Sequence, residues 1–418
     1  MAIAKQIFKL PNYHSAKGAM NYLGLTSVDA IYKAVMRGKL KCRNIDEIKV
    51  FYVDDLDDYK KTIKKGRPEK NPDPIKKLTR KLFPELRFVE NSLNENIILG
   101  FYNMTTDIEP TEEFKKKGLA ELALNCGIKC GHGCTYCYVP SILMKHKVIK
   151  RMDDPFASNI EIIDFDVVSR VDKAASKYKN SSDKVLMLCT QTDLFTDNQV
   201  KYKIPENILK ILLKKTKLQV RVLTKNKNIV KHVELLKKFG DRITVGLSVG
   251  MLSDKVCKIL EPNASLHSER IEAYKILKKN GIRVFGMLCP IFPGVTDTPT
   301  QTKIFMDNFK AFKFEEIWIE PLNIRSKNLT VSSGKLEEAG ETKFLKSLNT
   351  VFKSKDKDKK SVSDYISKMY FNTSRYLINS KFTKPIHYLI YSKTVNDKTR
   401  EKLQKDSEKY KNCNIHWL

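Results

Sequence analysis

Between residues 118 and 325, short apolar runs alternate with longer amphipathic stretches. The apolar runs are Leu119 to Leu124, Lys184 to Leu188, Leu218 to Leu223, Ile243 to Leu247, Ile282 to Leu288 and Glu316 to Glu320. The stretches between them, Val167 to Lys179, Glu206 to Lys215, Asn228 to Phe239, Ser268 to Asn280 and Thr300 to Phe312, repeat their apolar residues at helical spacing. Strands alternating with helices imply a parallel sheet. Six such units predict an α/β fold, an open partial (β/α)6 barrel of the TIM type. Residues that act would then sit at the C-terminal ends of the strands.

The first 66 residues follow another pattern. Ala16, Ala19, Met20 and Leu23 line one helix face, and Gly24 and Leu25 open a tight turn. Ser27 is placed to cap a second helix running to Arg37, with Ile31, Ala34 and Val35 inward and Gly38 as its stop. Strand-like runs near Leu40 to Arg43 and Ile48 to Tyr52 precede a helix start at Val53, with acids in its first turn. This is the order of a winged helix-turn-helix. The predicted organisation is a winged helix-turn-helix over 1–66, a basic linker and extension over 67–117, the barrel core over 118–325, and a C-terminal α/β extension over 326–418.

Charge changes the picture. Lys and Arg number 77 against 48 Asp and Glu, a net charge of +29. A field of that sign favours polyanions, above all nucleic acid, although a Lys-rich, Asn-rich and Ile-rich composition also follows from AT-rich coding. No apolar run is long enough to span a bilayer, and the N-terminus lacks a signal-peptide pattern, so the expected setting is the cytoplasm, away from membranes. Nine cysteines in a large chain of that kind argue against a disulfide framework.

Four of the nine, Cys126, Cys130, Cys134 and Cys137, fall within twelve residues. Only the last three make the spacing C-x-x-x-C-x-x-C. Thiolates are soft ligands, suited to iron–sulfur clusters or zinc. Zinc would want a fourth ligand such as Cys126, and zinc knuckles pair two C-x-x-C units where this chain has one. Three thiolates on a 4Fe-4S cluster leave one iron open for the amino and carboxylate groups of S-adenosyl-L-methionine (SAM). One electron from the cluster then yields methionine and a 5′-deoxyadenosyl radical.

The spacing, the aromatic Tyr136 before the last cysteine and the position after the first strand together resemble the radical SAM superfamily. The run Gly131-His132-Gly133-Cys134-Thr135-Tyr136-Cys137-Tyr138 is similar to its spore photoproduct lyase-related branch, often labelled DNA repair photolyases. Further matching pieces are Cys189-Thr190-Gln191-Thr192-Asp193, Val222-Leu223-Thr224-Lys225, Leu260-Glu261-Pro262, Ser268-Glu269-Arg270 and Pro290 to Asp297. The stretch Ala19 to Lys60 resembles excisionase and MerR-type DNA-binding domains. That likeness implies that the helix Ser27 to Arg37 enters the major groove, with Lys33, Arg37, Lys39, Lys41 and Arg43 meeting phosphates or base edges.

Carried over by position, the resemblance implies metal ligation by Cys130, Cys134 and Cys137. It implies SAM contacts by Tyr136 at the adenine, Thr192 and Asp193 at the amino group, Lys225 at the carboxylate, and Ser248 at the ribose or carboxylate. Cys189 is the candidate catalytic hydrogen donor to substrate, with Cys289 as a second strand-end thiol. The family context at Cys189 is one residue shorter than here, which shifts its register. The function implied is reductive SAM cleavage, acting on DNA as a carbon–carbon lyase repairing a thymine lesion or in another nucleic-acid modification. The base must then leave its stack, and an electron donor such as flavodoxin or ferredoxin is required. Two other readings remain: a radical SAM enzyme on a non-nucleic-acid substrate, and a DNA-binding iron–sulfur redox sensor.

Overall fold

The structure is a computed structural model, described here for residues 13–25, 27–45, 48–62, 88–91, 97–102, 104–105, 107–142, 160–164, 166–250, 253–310, 312–354, 356 and 358–418. Much of the basic connector expected over 67–117 lies outside the described residues, as does the start of the chain.

Near the N-terminus, Ser15 caps the helix Ala16–Leu23 by accepting from the Gly18 amide at 3.1 Å. Gly24 ends that helix in a left-handed conformation, φ 68°, which a side chain would strain. The helix Val28–Met36 follows, then the antiparallel strands Arg43–Ile45 and Ile48–Tyr52, then the helix Val53–Thr62. Ala19, Leu23, Ile31, Ala34, Leu40, Phe51 and Leu56 form a small core of their own.

The main sheet holds eight parallel strands in chain order: β1 (Leu122–Leu124), β2 (Val185–Leu188), β3 (Gln219–Thr224), β4 (Ile243–Ser248), β5 (Arg283–Ile291), β6 (Ile317–Pro321), β7 (Ile386–Ile390) and β8 (Cys413–Trp417). The two-residue strand Glu109–Pro110 pairs antiparallel with β1 at one edge. The sheet does not stop at six strands, because β7 pairs in parallel with β6 and β8 with β7. Three helices, Asn328–Glu338, Thr342–Phe352 and Lys360–Asn379, intervene before β7. They lengthen the repeat and hide its continuation from the sequence pattern.

Alternate residues of each strand serve two packing zones. Leu186, Leu188, Val220, Val222, Val245, Leu247, Ile317 and Ile319 pack with helix residues such as Ile208, Leu212, Leu277 and Tyr370. Met187, Phe285, Met287, Trp318 and Leu389 form a separate cluster with Phe114 and Leu119. Toward the N-terminal strand ends that second cluster meets polar groups. The His387 ring stacks on Trp318 at 3.9 Å, and His387 Nδ1 lies 2.9 Å from His416 Nε2. Arg221 pairs with Glu316 at 2.7 Å. Burial, and then the charges of His416 and Arg221, pull the His387 pKa down to about 3, so the pair is held uncharged.

A second sheet, in the order Phe88–Asn91, Ile98–Tyr102, Ile160–Asp164 and Gly127–Lys129, leads directly into the cysteine loop. A side chain at Gly127 would collide with the Ile162 carbonyl, so the close approach of these two strands needs glycine.

Candidate active site

A cleft at the C-terminal ends of the parallel strands encloses about 1070 Å³, counted out to its open mouth. Cys130, Cys134 and Cys137 line it, together with Tyr136, Cys189, Thr192, Asp193, Lys225 and Ser248. The sequence-predicted site residues are therefore brought to one cavity. This is the position that strand-end chemistry favours in α/β folds.

The cysteine loop is fastened from outside by segments far away in sequence. Asn263 donates its side-chain amide to the Gly131 carbonyl at 3.0 Å and its backbone amide to the His132 carbonyl at 3.1 Å. The Thr135 amide donates to the Leu260 carbonyl at 2.8 Å. Asn328 Nδ2 donates to the Tyr136 carbonyl at 3.0 Å, and Thr135 Oγ1 lies 3.0 Å from Ser332 Oγ. A Cβ at Gly131 would press on Glu161 and Ile97 at 2.9 Å. The loop glycines thus let it lie flush against the body of the protein.

The three cysteine thiols are half-buried, and burial raises the pKa of each. For Cys130 the value reaches about 12, burial acting first and the neighbouring Cys137 and Asp193 adding to it. Among the described residues, no three His, Cys, Asp or Glu side chains converge as ligands of a single ion. A 4Fe-4S cluster asks for something else, since each thiolate takes a different iron and the sulfurs need only ring it. Thiols that resist ionisation while empty release their protons when a metal centre binds. The donor set fits the cluster.

Two buried networks frame the opposite side of the loop. His132 Nε2 bonds to Asp193 Oδ2 at 2.9 Å. Asp193 also accepts from Thr224 Oγ1 at 2.8 Å, the Lys225 amide at 2.8 Å and the Phe195 amide at 2.9 Å. Burial opposes its charge, but His132 and these donors hold its pKa below the usual carboxylate value. Both its oxygens are engaged, so Asp193 ties β2 to β3 and to the loop. In the second network, Lys225 Nζ donates to Tyr136 Oη at 2.6 Å and pairs with Glu261 at 3.0 Å. Tyr136 also donates to Glu261, whose other oxygen pairs with Arg270. Arg270 Nη1 donates to the Ser248 carbonyl at 2.8 Å, while Ser248 Oγ donates to the Cys289 carbonyl at 2.8 Å.

Thr192 differs from these. It is 9 % exposed, lines the cavity, and its hydroxyl has no partner. The loop that leads to it from β2 is stitched down: Asn125 Oδ1 accepts from the Gln191 amide at 2.9 Å, and Asn125 Nδ2 donates to Thr190 Oγ1 at 3.0 Å. Cys189 ends β2 in a left-handed conformation, φ 62°, rare for a side-chain-bearing residue, and it is buried beside Cys126.

Sequence reasoning assigned no role to Glu261, Asn263, Arg270 or Asn328. Glu261 and Arg270 lay within matching pieces, which was the one signal they carried; Asn263 and Asn328 gave none. In the N-terminal unit, Lys33, Arg37, Lys39 and Lys41 are exposed, whereas Arg43, although exposed, pairs with Asp55 at 2.7 Å.

Among curated relatives, the uncharacterized protein MJ0683 of Methanocaldococcus jannaschii is 29% identical over 198 residues, 47% of this chain and 70% of its own. The uncharacterized protein ORF301 of Acidianus two-tailed virus is 25% identical over 214 residues, 50% of this chain and 69% of its own. Among solved structures, a spore photoproduct lyase complexed with dinucleoside spore photoproduct is 14% identical and covers 57% of this chain and 66% of its own, with a TM-score of 0.41. A radical S-adenosylmethionine methyltransferase from Kitasatospora setae covers 47% of this chain and 35% of its own at 13% identity, with a TM-score of 0.31. No helix among the described residues is long and apolar enough to cross a membrane. Residues 124–302 match the profile of the radical SAM superfamily, so this stretch is a radical SAM domain, whose cofactors are a 4Fe-4S cluster and SAM.

Proposed function

We propose that the protein is a radical SAM enzyme acting on nucleic acid, in which Cys130, Cys134 and Cys137 hold the cluster. The observation that carries this is the convergence of the three thiols and the unpartnered Thr192 hydroxyl on one cavity at the strand ends. The cofactors together supply one-electron cleavage of the SAM sulfonium. The chain's own residues bind, orient and shield. Thr192 Oγ1 accepts from the SAM ammonium, the one partner it lacks. Lys225, balanced by Glu261, faces the SAM carboxylate from the end of β3. Tyr136, with its hydroxyl fixed by Lys225 and Glu261, would border the adenine. Asp193 acts by positioning, through His132 and the amides after β3. Ser248 contributes through the β4 end, and Cys189 is the hydrogen donor to substrate, a thiol S–H being weak.

The sheet, with strands in chain order and C-terminal ends at the cavity, reads as a partial barrel extended by β7 and β8. The first 66 residues read as a winged helix-turn-helix whose exposed Lys33 and Arg37 meet DNA phosphates. A net charge of +29 supports a polyanionic substrate. Within that class we favour DNA, with lesion repair by a lyase reaction as its specific form, in a cytoplasmic setting and served by a flavodoxin- or ferredoxin-like electron donor.

The test is anaerobic. The full chain is loaded with iron and sulfide, reduced with dithionite and given SAM, and 5′-deoxyadenosine is measured. Production that disappears in Cys134→Ala, together with loss of iron, is expected. A fully loaded, reducible protein that makes none would overturn the proposal. Supplying damaged-thymine and undamaged strands then tests the DNA assignment.

A further inference from the structure

The cavity extends well beyond the cysteine loop. Glu320 and Asn323, at the end of β6, lie four strands from Thr192 at the end of β2, and both line the same space. Glu320 is 5 % exposed, and its Oε1 has no hydrogen-bond partner. Its other oxygen accepts from Cys289 Sγ at 3.3 Å, which fixes the carboxylate's orientation. Asn323 Nδ2, three residues on, is also buried without a partner. A buried polar atom left unpaired is costly unless a ligand completes it. Two of them on one wall describe the ligand that is absent.

A carboxylate only accepts, so Glu320 asks for an N–H or O–H. A carboxamide offers donors, so Asn323 asks for an acceptor beside it. Met187, Met287 and Leu389 line the walls together with the buried Lys117, whose ammonium the Glu320 charge stabilises. A flat heterocycle carrying an N–H next to a C=O satisfies every one of these demands. Resting on the nucleic-acid reading above, we propose that Glu320 and Asn323 form a base-reading edge for the lactam face of an unstacked nucleobase. Glu320 accepts from the ring N–H, and Asn323 donates to the adjoining carbonyl. Such an edge is paired in a duplex, so the site takes the base only after it has left its partner.

The test uses the full chain carrying its cluster. Short single strands holding one thymine, or one N3-methylthymine, among abasic positions are compared by fluorescence anisotropy at several salt concentrations. Wild type should favour thymine by about tenfold or more, the scale of a hydrogen bond to a charged group. Glu320→Ala should bring the two strands to within about twofold, with unchanged iron content. Glu320→Gln keeps an acceptor oxygen and should retain an intermediate preference, so an unfolded alanine variant would not leave the matter open. Equal affinity of wild type for both strands, with a steep salt dependence retained, would overturn the base-reading edge while the nucleic-acid reading stands. Absence of binding to either strand would bring down both.

Discussion

Two groups of polar residues line the cavity on opposite principles. In the closed group every partner is found within the protein: Asp193 has four donors, and Glu261 holds Tyr136, Lys225 and Arg270 together. In the open group, after β2 and at the end of β6, Thr192, Glu320 and Asn323 have buried atoms unpaired. The first group is scaffold and the second is receptor. A buried charge already paired destabilises the fold when its partner is removed. A buried group awaiting a ligand loses little from the fold when deleted, and the loss appears in binding.

The largest expected effect lies in the closed group. Glu261→Ala strands Arg270 and Lys225 without a counter-charge, and should lower unfolding stability by about 3–5 kcal/mol, measured by urea denaturation. A loss below about 1 kcal/mol would break the distinction. The uncharged histidine pair at the other strand ends sharpens it through pH. The folded-state His387 pKa lies near 3, below the unfolded value. Stability is therefore present above about pH 6.5 and falls as the unfolded chain takes up a proton that the folded chain refuses, by up to about 1.4 kcal/mol per unit between pH 6.5 and 3. Urea midpoints at pH 7, 6 and 5 should show this slope, and His387→Gln should flatten it.

In the open group, Thr192→Val removes the unpaired hydroxyl. The melting temperature should stay level or rise slightly, while SAM affinity weakens about tenfold by calorimetry. A destabilised variant that still binds SAM normally would place Thr192 with the scaffold. The smallest effect concerns the N-terminal unit. Lys33→Ala with Arg37→Ala should reduce the salt slope of DNA binding by about one for each phosphate that is no longer neutralised, leaving base preference alone.

The strands β2 to β6 were legible because short runs rich in apolar residues recur between amphipathic stretches, even in β3, where half-buried Gln219, Arg221 and Leu223 alternate with buried Val220, Val222 and Thr224. The strand Ile160–Asp164 was not, because two of its five residues are acids. Glu161 is buried against Thr196 and Asn198, and Asp164 against Arg170, and partners of that kind leave no trace in a hydropathy pattern. The cysteines and the Thr192-Asp193 pair were visible as motifs. That Asp193 is already saturated was not visible, since His132 and Thr224 reach it from other segments. Nor was the hold of Asn263 and Asn328 on the loop, which joins positions more than a hundred residues apart.

Among the described residues, the main sheet has two borders where backbone groups lack a neighbouring strand, and each is an invitation to another chain. At one border Glu109–Pro110 offers only two residues, one a charged side chain and the other an imino acid without an N–H. Growth by edge-to-edge pairing stops there. The other border is β8, five residues with no proline. Until β7 and β8 dock, the border is β6, whose five residues are all buried in the finished protein. Docking of β7 and then β8 therefore covers a strand that would otherwise present an apolar edge, so these two strands shield β6 from self-association as well as extending the sheet.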